Sequence, residues 1–241
     1  MLDVHPPHHA ATTWRDFFIH IATICVGLLI AIGLEQSVEA IHHHHQRHKL
    51  EVQLHDEAQR NLELVQLNIA HLRALRKWFN SAILAINAAP IINGRISRST
   101  MPSQTKIDTS IWTPSRTVWA VAKASGSVAL LPENEAQVYA RVDFEGEQLQ
   151  TGEVEMGQST VPLGSIIKSW QGVPSAQLQF FTVAERDALL NALAQASTGV
   201  DNLLDLEFTE SGACRGALNG AGSVDEIFHY IQNEAKQSAV Q

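Results

Sequence analysis

The sequence predicts an all-α protein: one N-terminal transmembrane helix continuing into a long helix, packed in an antiparallel helical bundle. Three observations carry this expectation. Residues 17–34 read FFIHIATICVGLLIAIGL, 18 positions without a formal charge, close to the roughly 20 that cross a hydrocarbon core. From Leu50 to Ile86 apolar residues recur at steps of three or four, and no Gly or Pro interrupts residues 35–89, which marks one face of an α-helix. Aromatic residues make up only 6% of the chain, while Ala, Leu, Ile and Gln are common. That balance favours helices over a sandwich of strands.

The organisation follows in order. Residues 1–16 are a short polar start. Residues 17–34 are the spanning helix, because backbone groups in lipid must be satisfied within the segment. Trp14 precedes it, where an amphipathic ring prefers the interface. A buried helix of a soluble protein is the first alternative, since the run is short for a span. A cleaved signal peptide is the second, with Val38-Glu39-Ala40 resembling a small-x-small site. Orientation is almost undetermined: Arg15 flanks one side, Arg47 and Lys49 the other.

Residues 35–89 continue as a long juxtamembrane helix. Its stripe is Leu50, Leu54, Ala58, Leu62, Val65, Ile69, Leu72, Leu75, Phe79, Ile83 and Ile86. A stripe this long needs partner helices, from this chain or from a second copy. Pro90 ends it, and residues 90–112 read as a polar loop. Residues 113–241 supply the remaining helices of the bundle. Thr113-Pro114 reads as an N-cap with Pro at the first helical position, and Gly126 as the stop of that helix. Leu131-Pro132-Glu133 starts the next helix, which Gly146, Gly152, Gly157 and Gly164 should break or kink between 150 and 165. Residues 172–174 read as a turn. Thr182-Val183-Ala184-Glu185 and Ser223-Val224-Asp225-Glu226 are capping boxes, and Gly216, Gly220 and Gly222 read as a flexible break before the last helix.

Charge is divided unevenly. Residues 1–123 carry 12 Lys/Arg against 9 Asp/Glu, a balance of +3; residues 124–241 carry 5 against 16, a balance of −11. The acidic total argues against sequence-independent nucleic-acid binding, which needs a basic face against phosphates. Cys25 lies in the apolar run and Cys214 stands alone, so no disulfide framework is expected.

Catalytic signatures are lacking. No G-x-S-x-G elbow, P-loop or H-E-x-x-H occurs. Cys214 reads as an incidental thiol, Glu153 and Glu155 as solvated surface, and no catalytic or cofactor-binding residue is assigned. The remaining candidate is a histidine run: six of twelve His fall within residues 42–55. His44 and His48 are i,i+4 neighbours and His45 and His48 i,i+3, spacings that can hold Zn, Cu or Ni through imidazole nitrogens. His55, Glu51 or Asp56 would complete such a site. Four adjacent histidines, however, point all around a helix. The plainer reading is a polar segment just past the bilayer, where His also offers pH-dependent contact with headgroups.

The run TWRDFFIHIATICVGLLIAIGLEQSVE with its His-rich sequel resembles uncharacterised single-span bacterial membrane proteins with a helical soluble domain of unknown function. Trp119, Ser125-Gly126, Leu130-Leu131-Pro132 and Tyr139-Ala140 form a second similar block, and the likeness covers about half the chain. Trp119, Ser125, Gly126 and Tyr139 read either as the core and turn of a helical hairpin or as a ligand pocket there. The resemblance implies a single-pass protein of the bacterial inner membrane with its soluble domain in the periplasm, and carries over no catalytic residue. The expected function is a membrane-anchored interaction or scaffold module without catalytic activity. Its expected partners are the lipid bilayer and a second copy or another membrane protein. The alternative is a metal-binding or metal- or pH-responsive envelope protein using His44, His45, His48 and His55.

Overall fold

A computed structural model describes residues 14–97, 109–170, 173 and 180–240. The residues fall into two compact units, Met1–Lys49 and Leu50–Gln241. The architecture is all-α. Helix α1 covers Trp14–Ala88, α2 Thr117–Ser125, α3 Glu133–Ser169, α4 Val183–Leu218 and α5 Val224–Val240. Three short strands, β1 (Ile91–Ile92), β2 (Arg95–Ser97) and β3 (Phe180–Thr182), form a small antiparallel sheet in the order β1-β2-β3.

In the first unit, α1 carries the one helical stretch among the described residues that is long and apolar enough to cross a membrane. Its best 18-residue window has a mean hydropathy of 2.5 and no buried residue. Polar groups inside it are satisfied locally, as when the Thr23 hydroxyl donates to the Ile19 carbonyl at 2.8 Å. At its start Trp14 stacks on Phe17 and Phe18 meets both edge-on, with centroids 5.1–5.9 Å apart.

In the second unit the stripe of α1 is buried, except that Leu62 and Ile83 are half-buried. Val65, Ile69, Leu72, Leu75, Phe79, Ala82 and Ile86 share one core with Leu149, Met156 and Leu163 of α3 and with Leu189, Leu193, Ala196, Val200, Leu203 and Phe208 of α4. The stripe is therefore covered within the chain, and a second copy is not needed to bury it. The start of α3 belongs with Leu50 and Leu54, and its end with Ile86. So α3 runs parallel to this part of α1, while α4 runs antiparallel to both. A parallel pair needs a long return, and the segment 109–118 with α2 provides it. At the other end Val138, Val142, Ala213, Cys214, Ala217 and Ile227 make a second core under α5.

Several local expectations change. The stretch 90–112 is not a plain loop: Asn93 and Gly94 hold φ of 53° and 73°, and Ile91 and Ile92 pair with Ile96 and Arg95. Asn-Gly at two positive-φ positions is the tight hairpin turn that matches strand twist, and it carries Ile96 into the core with no exposure. Residues 98–108, like 1–13 and most of the 172–174 turn, lie outside the described residues. Thr113-Pro114 does not start a helix; α2 begins at Thr117. Gly126 does end α2, at φ 75°. Helix α3 is continuous through 150–165, glycines and Pro162 included. It survives because packing outweighs propensity: Gly152 lies against the Leu206 side chain of α4, which would have to shift to admit a Cβ. Helix α4 likewise runs through Gly212 and Gly216, where α5 comes closest; a Cβ on Gly212 would meet the Ile231 Cα at 2.5 Å. The Thr182 capping box is complete. At Ser223 the hydroxyl accepts from Glu226 N–H, but the Glu226 carboxylate reaches back to Gly222 N–H instead of its own cap.

Candidate functional site

Between α1, α3 and α4 the apolar core gives way to a polar seam. It starts on α1 with Glu57, Asn61 and Asn68, all buried. Asn61 and Asn68 lie two helical turns apart, about 10.5 Å along the axis. Facing them, the segment 109–118 runs back along the helix, and three extended residues span about 10 Å. The two repeats match, so each asparagine grips one residue of that segment by its main chain. The Asn68 amide donates to the Trp112 carbonyl at 2.8 Å and accepts from Trp112 N–H at 3.2 Å. Asn61 does the same to Ser115, at 2.7 and 2.9 Å. One turn earlier, Glu57 accepts from the Ser115 hydroxyl at 2.7 Å and from Val118 N–H at 3.1 and 3.2 Å. Helix α2 has no cap from its own N-cap residue, Arg116. A carboxylate from α1 takes that place, bonding a free N–H and opposing the helix dipole.

The other side of the seam is acidic. Glu207 of α4 is wholly buried and accepts from the same Asn68 amide at 2.8 Å; its second oxygen has no hydrogen-bond partner among the described residues. Glu210, one turn on and 1% exposed, accepts from the Cys214 thiol at 3.3 Å, and its second oxygen too is unpartnered. Burial pushes both carboxyls up to about 8, opposed for Glu207 by the Asn68 bond and for Glu210 by the Cys214 bond. Glu153 of α3 accepts from the Thr113 hydroxyl at 2.7 Å, and burial raises it as well. It is half-buried and engaged, not the solvated surface residue its sequence suggests; Glu155 is exposed.

The cations sit one step outward. Arg116 pairs with Asp143 at 2.7 Å and Glu147 at 3.1 Å, and Lys123 pairs with the second Asp143 oxygen at 2.9 Å. Burial works against the Asp143 charge, but these partners prevail and hold its carboxyl below the usual range. Arg141 pairs with Glu145.

Leu54, Glu57, Asn61, Arg116, Trp119, Tyr139, Asp143 and Glu210 line a cavity of ≈ 20 Å³, room for about one water. Trp119 and Tyr139 thus belong both to the hairpin core and to this cavity wall, while Ser125 and Gly126 serve only the turn. Burial and the charges of Glu135 and Glu51 push the Tyr139 phenol up to about 12. Burial, then Glu210, push the Cys214 thiol far up, which disfavours its thiolate form.

None of the histidine candidates is a member of this seam. His44, His45, His48 and His55 are exposed, and the His42 ring bonds the Gln46 amide at 2.8 Å. Among the described residues no group of three or more His, Cys, Asp or Glu is placed to hold a metal ion. The seam itself was missed from sequence. The signal for it is a stripe that changes character: Val200, Leu203 and Leu204 on α4 continue at the same spacing as Glu207, Glu210 and Cys214. Compared with known proteins, the chain matches no protein-family model, no curated sequence and no solved structure.

Proposed function

We propose that this chain is a membrane-anchored helical interaction module, without catalysis, held by one pass through a bacterial inner membrane with its second unit in the periplasm. The observation that carries the anchor is the uncharged window of α1, none of which is buried. An 18-residue apolar helix with nothing of its own chain over it is costly in water and suited to lipid. The aromatic cluster at its start supports an interfacial end there. The resemblance of the N-terminal run to single-span bacterial proteins supports the compartment and sidedness.

The non-catalytic part rests on the seam. Its buried groups, Glu210 and Cys214, are engaged with each other, and the cavity that Glu210 lines has room for about one water. The seam's bonds instead hold one segment of chain on another, which suits a rigid scaffold. Exposed Val154 and Val161, seven residues apart on α3, are apolar positions from which a partner would be met.

The test expresses the full chain in bacteria. Membranes washed with alkaline carbonate should retain it, and a C-terminal reporter active only outside the cytoplasm should be active. Photo-crosslinkers at positions 154 and 161 should then give discrete adducts. Recovery of the unaltered chain in the soluble fraction would overturn the anchor, an inactive reporter the sidedness, and absence of adducts the interaction surface on α3.

A further inference from the structure

The seam joins two things not usually coupled: a clamp on the chain's own backbone and a pair of buried acids. Asn68 is the joint, because one amide donates both to the Trp112 carbonyl and to Glu207. Glu153 facing Glu207 from α3 extends the joint, since it holds Thr113, the residue next to Trp112. On α4 are the two glutamates themselves and Cys214; from α1 come Asn68, Glu57 across the cavity, Arg73 over the ring of Phe208 next to Glu207, and His71 edge-on to Trp112. From the return segment comes Arg116, and from α3 come Asp143, Glu145 and Glu153. Helix α5 packs on this stretch through Ile231 and Tyr230, and its Glu234 is paired with Arg215. The nearby cations are committed: Arg116 to Asp143 and Glu147, Lys123 to Asp143, Arg141 to Glu145. Among the described residues no cation pairs with Glu207 or Glu210.

We propose that Glu207 and Glu210 form a proton-operated latch: bound protons keep the segment 109–118 clamped on α1, and their loss frees it from Asn68 and Asn61. A neutral carboxyl beside Asn68 leaves the seam uncharged. An ionised Glu207 would sit wholly buried beside Glu153 and Glu210 with one hydrogen bond, an arrangement relieved only by admitting water. The segment over Glu207 is the part that yields, because one Asn68 amide bonds both it and the acid; Ile111 and Val118, both half-buried, are its apolar contacts with the neighbouring cores.

The sign follows from linkage. The closed form holds its protons up to about pH 8, whereas the opened carboxyls titrate at the ordinary value near 4.5. Closing therefore takes up protons, is favoured fully below about pH 4.5, weakens as pH rises, and levels off above 8. Acid tightens the latch and neutrality loosens it.

The test is hydrogen exchange of the full chain in mild detergent, corrected for intrinsic rates, read at the amides of Trp112, Ser115 and Val118. Each coupled proton contributes about ten-fold per pH unit, so their protection should fall about 100-fold between pH 5.5 and 7.5 if the segment opens on loss of one proton and about 10,000-fold if it opens on loss of both. Amides in the middle of α3 should change far less. The Glu207→Gln/Glu210→Gln variant should show a flat profile. Equal wild-type protection at both pH values would overturn the latch, as would the same fall across α3, or an unchanged fall in the double variant. Should that variant not fold, the wild-type profile alone decides.

Discussion

Replacing Asn68 with Ala tests whether the seam holds the return segment or merely lies under it. Asn68 is wholly buried and makes three hydrogen bonds, two to the Trp112 backbone and one to Glu207. Each is worth about 1 kcal/mol net, and a buried polar group left without a partner costs about 1–3 kcal/mol more. Trp112 can turn to water, because its side chain is already exposed. Glu207 cannot, and loses the hydrogen bond it accepts from Asn68. The sum is about 4–6 kcal/mol. For a domain of this size each kcal/mol moves Tm by about 2–4 °C, so Asn68→Ala should lower Tm by about 8–24 °C. Asn61→Ala is the control, since it removes the same two backbone bonds at Ser115 but orphans no acid; it should cost about 1–3 kcal/mol. Both are read by thermal melts of the full chain in detergent, followed by tryptophan fluorescence and helix content. An Asn68→Ala melt within 2 °C of wild type, or a smaller loss than for Asn61→Ala, would refute the reasoning that places the acid at the centre of the clamp.

Gly212→Ala should undock α5, since the new methyl would meet Ile231 backbone at 2.5 Å; overpacking of this kind costs about 1–3 kcal/mol, and limited proteolysis should release the C-terminal helix first. Thr182→Ala removes a complete capping box at the start of α4 and should cost about 1 kcal/mol, seen as a lower Tm. Glu210→Gln should stabilise the protein at pH 7.5, by up to about 4 kcal/mol if the full shift is realised. The advantage arises because wild-type Glu210 must hold a proton that the unfolded chain has released, and it should fade as pH falls towards 4.5; denaturation at several pH values shows the trend. Leu29→Arg puts a charge inside the uncharged window of α1 and should weaken insertion by up to about 3 kcal/mol, shifting the chain out of carbonate-washed membranes.

Where periodicity and caps were strong, the sequence was readable. The stripe from Leu50 to Ile86, the box at Thr182 and the left-handed stop at Gly126 all depend on residues within one helical turn of each other. What escaped depends on partners far along the chain. The glycines of α3 and α4 look like helix breakers until Leu206 and Ile231 are set against them, and then they are the reason two helices can approach. Thr113-Pro114 looks like a helix start, but Thr113 is drawn to Glu153, 40 residues away, and the helix waits for Thr117 and the carboxylate of Glu57. The hairpin at Asn93-Gly94 is the exception: its two-residue signal is local and strong, yet it is easily passed over in a polar stretch. The acids of α4 escaped because a glutamate on a helix normally marks the solvated face.

The apolar core and the polar seam do different jobs in this fold. Burial of Leu, Ile and Phe is non-directional, so it can hold α1, α3 and α4 together but cannot decide where an extended segment lies along α1. A pair of asparagines at i and i+7, each needing one N–H and one C=O, accepts Trp112 and Ser115 in a single register, because slipping by one residue would break four bonds. Glu57 then sets the start of α2 from the same helix. The anchor window and the clamp are thus written into one helix, 34 residues apart between Leu34 and Asn68, but in separate compact units. If the units are energetically independent, Leu29→Arg and Asn68→Ala should add: the double variant should lose membrane retention as the first does and Tm as the second does, within about 0.5 kcal/mol of additivity. A departure larger than that would mean that the state of the clamp is felt along α1 at the membrane, and the latch would then report on the anchor as well as on pH.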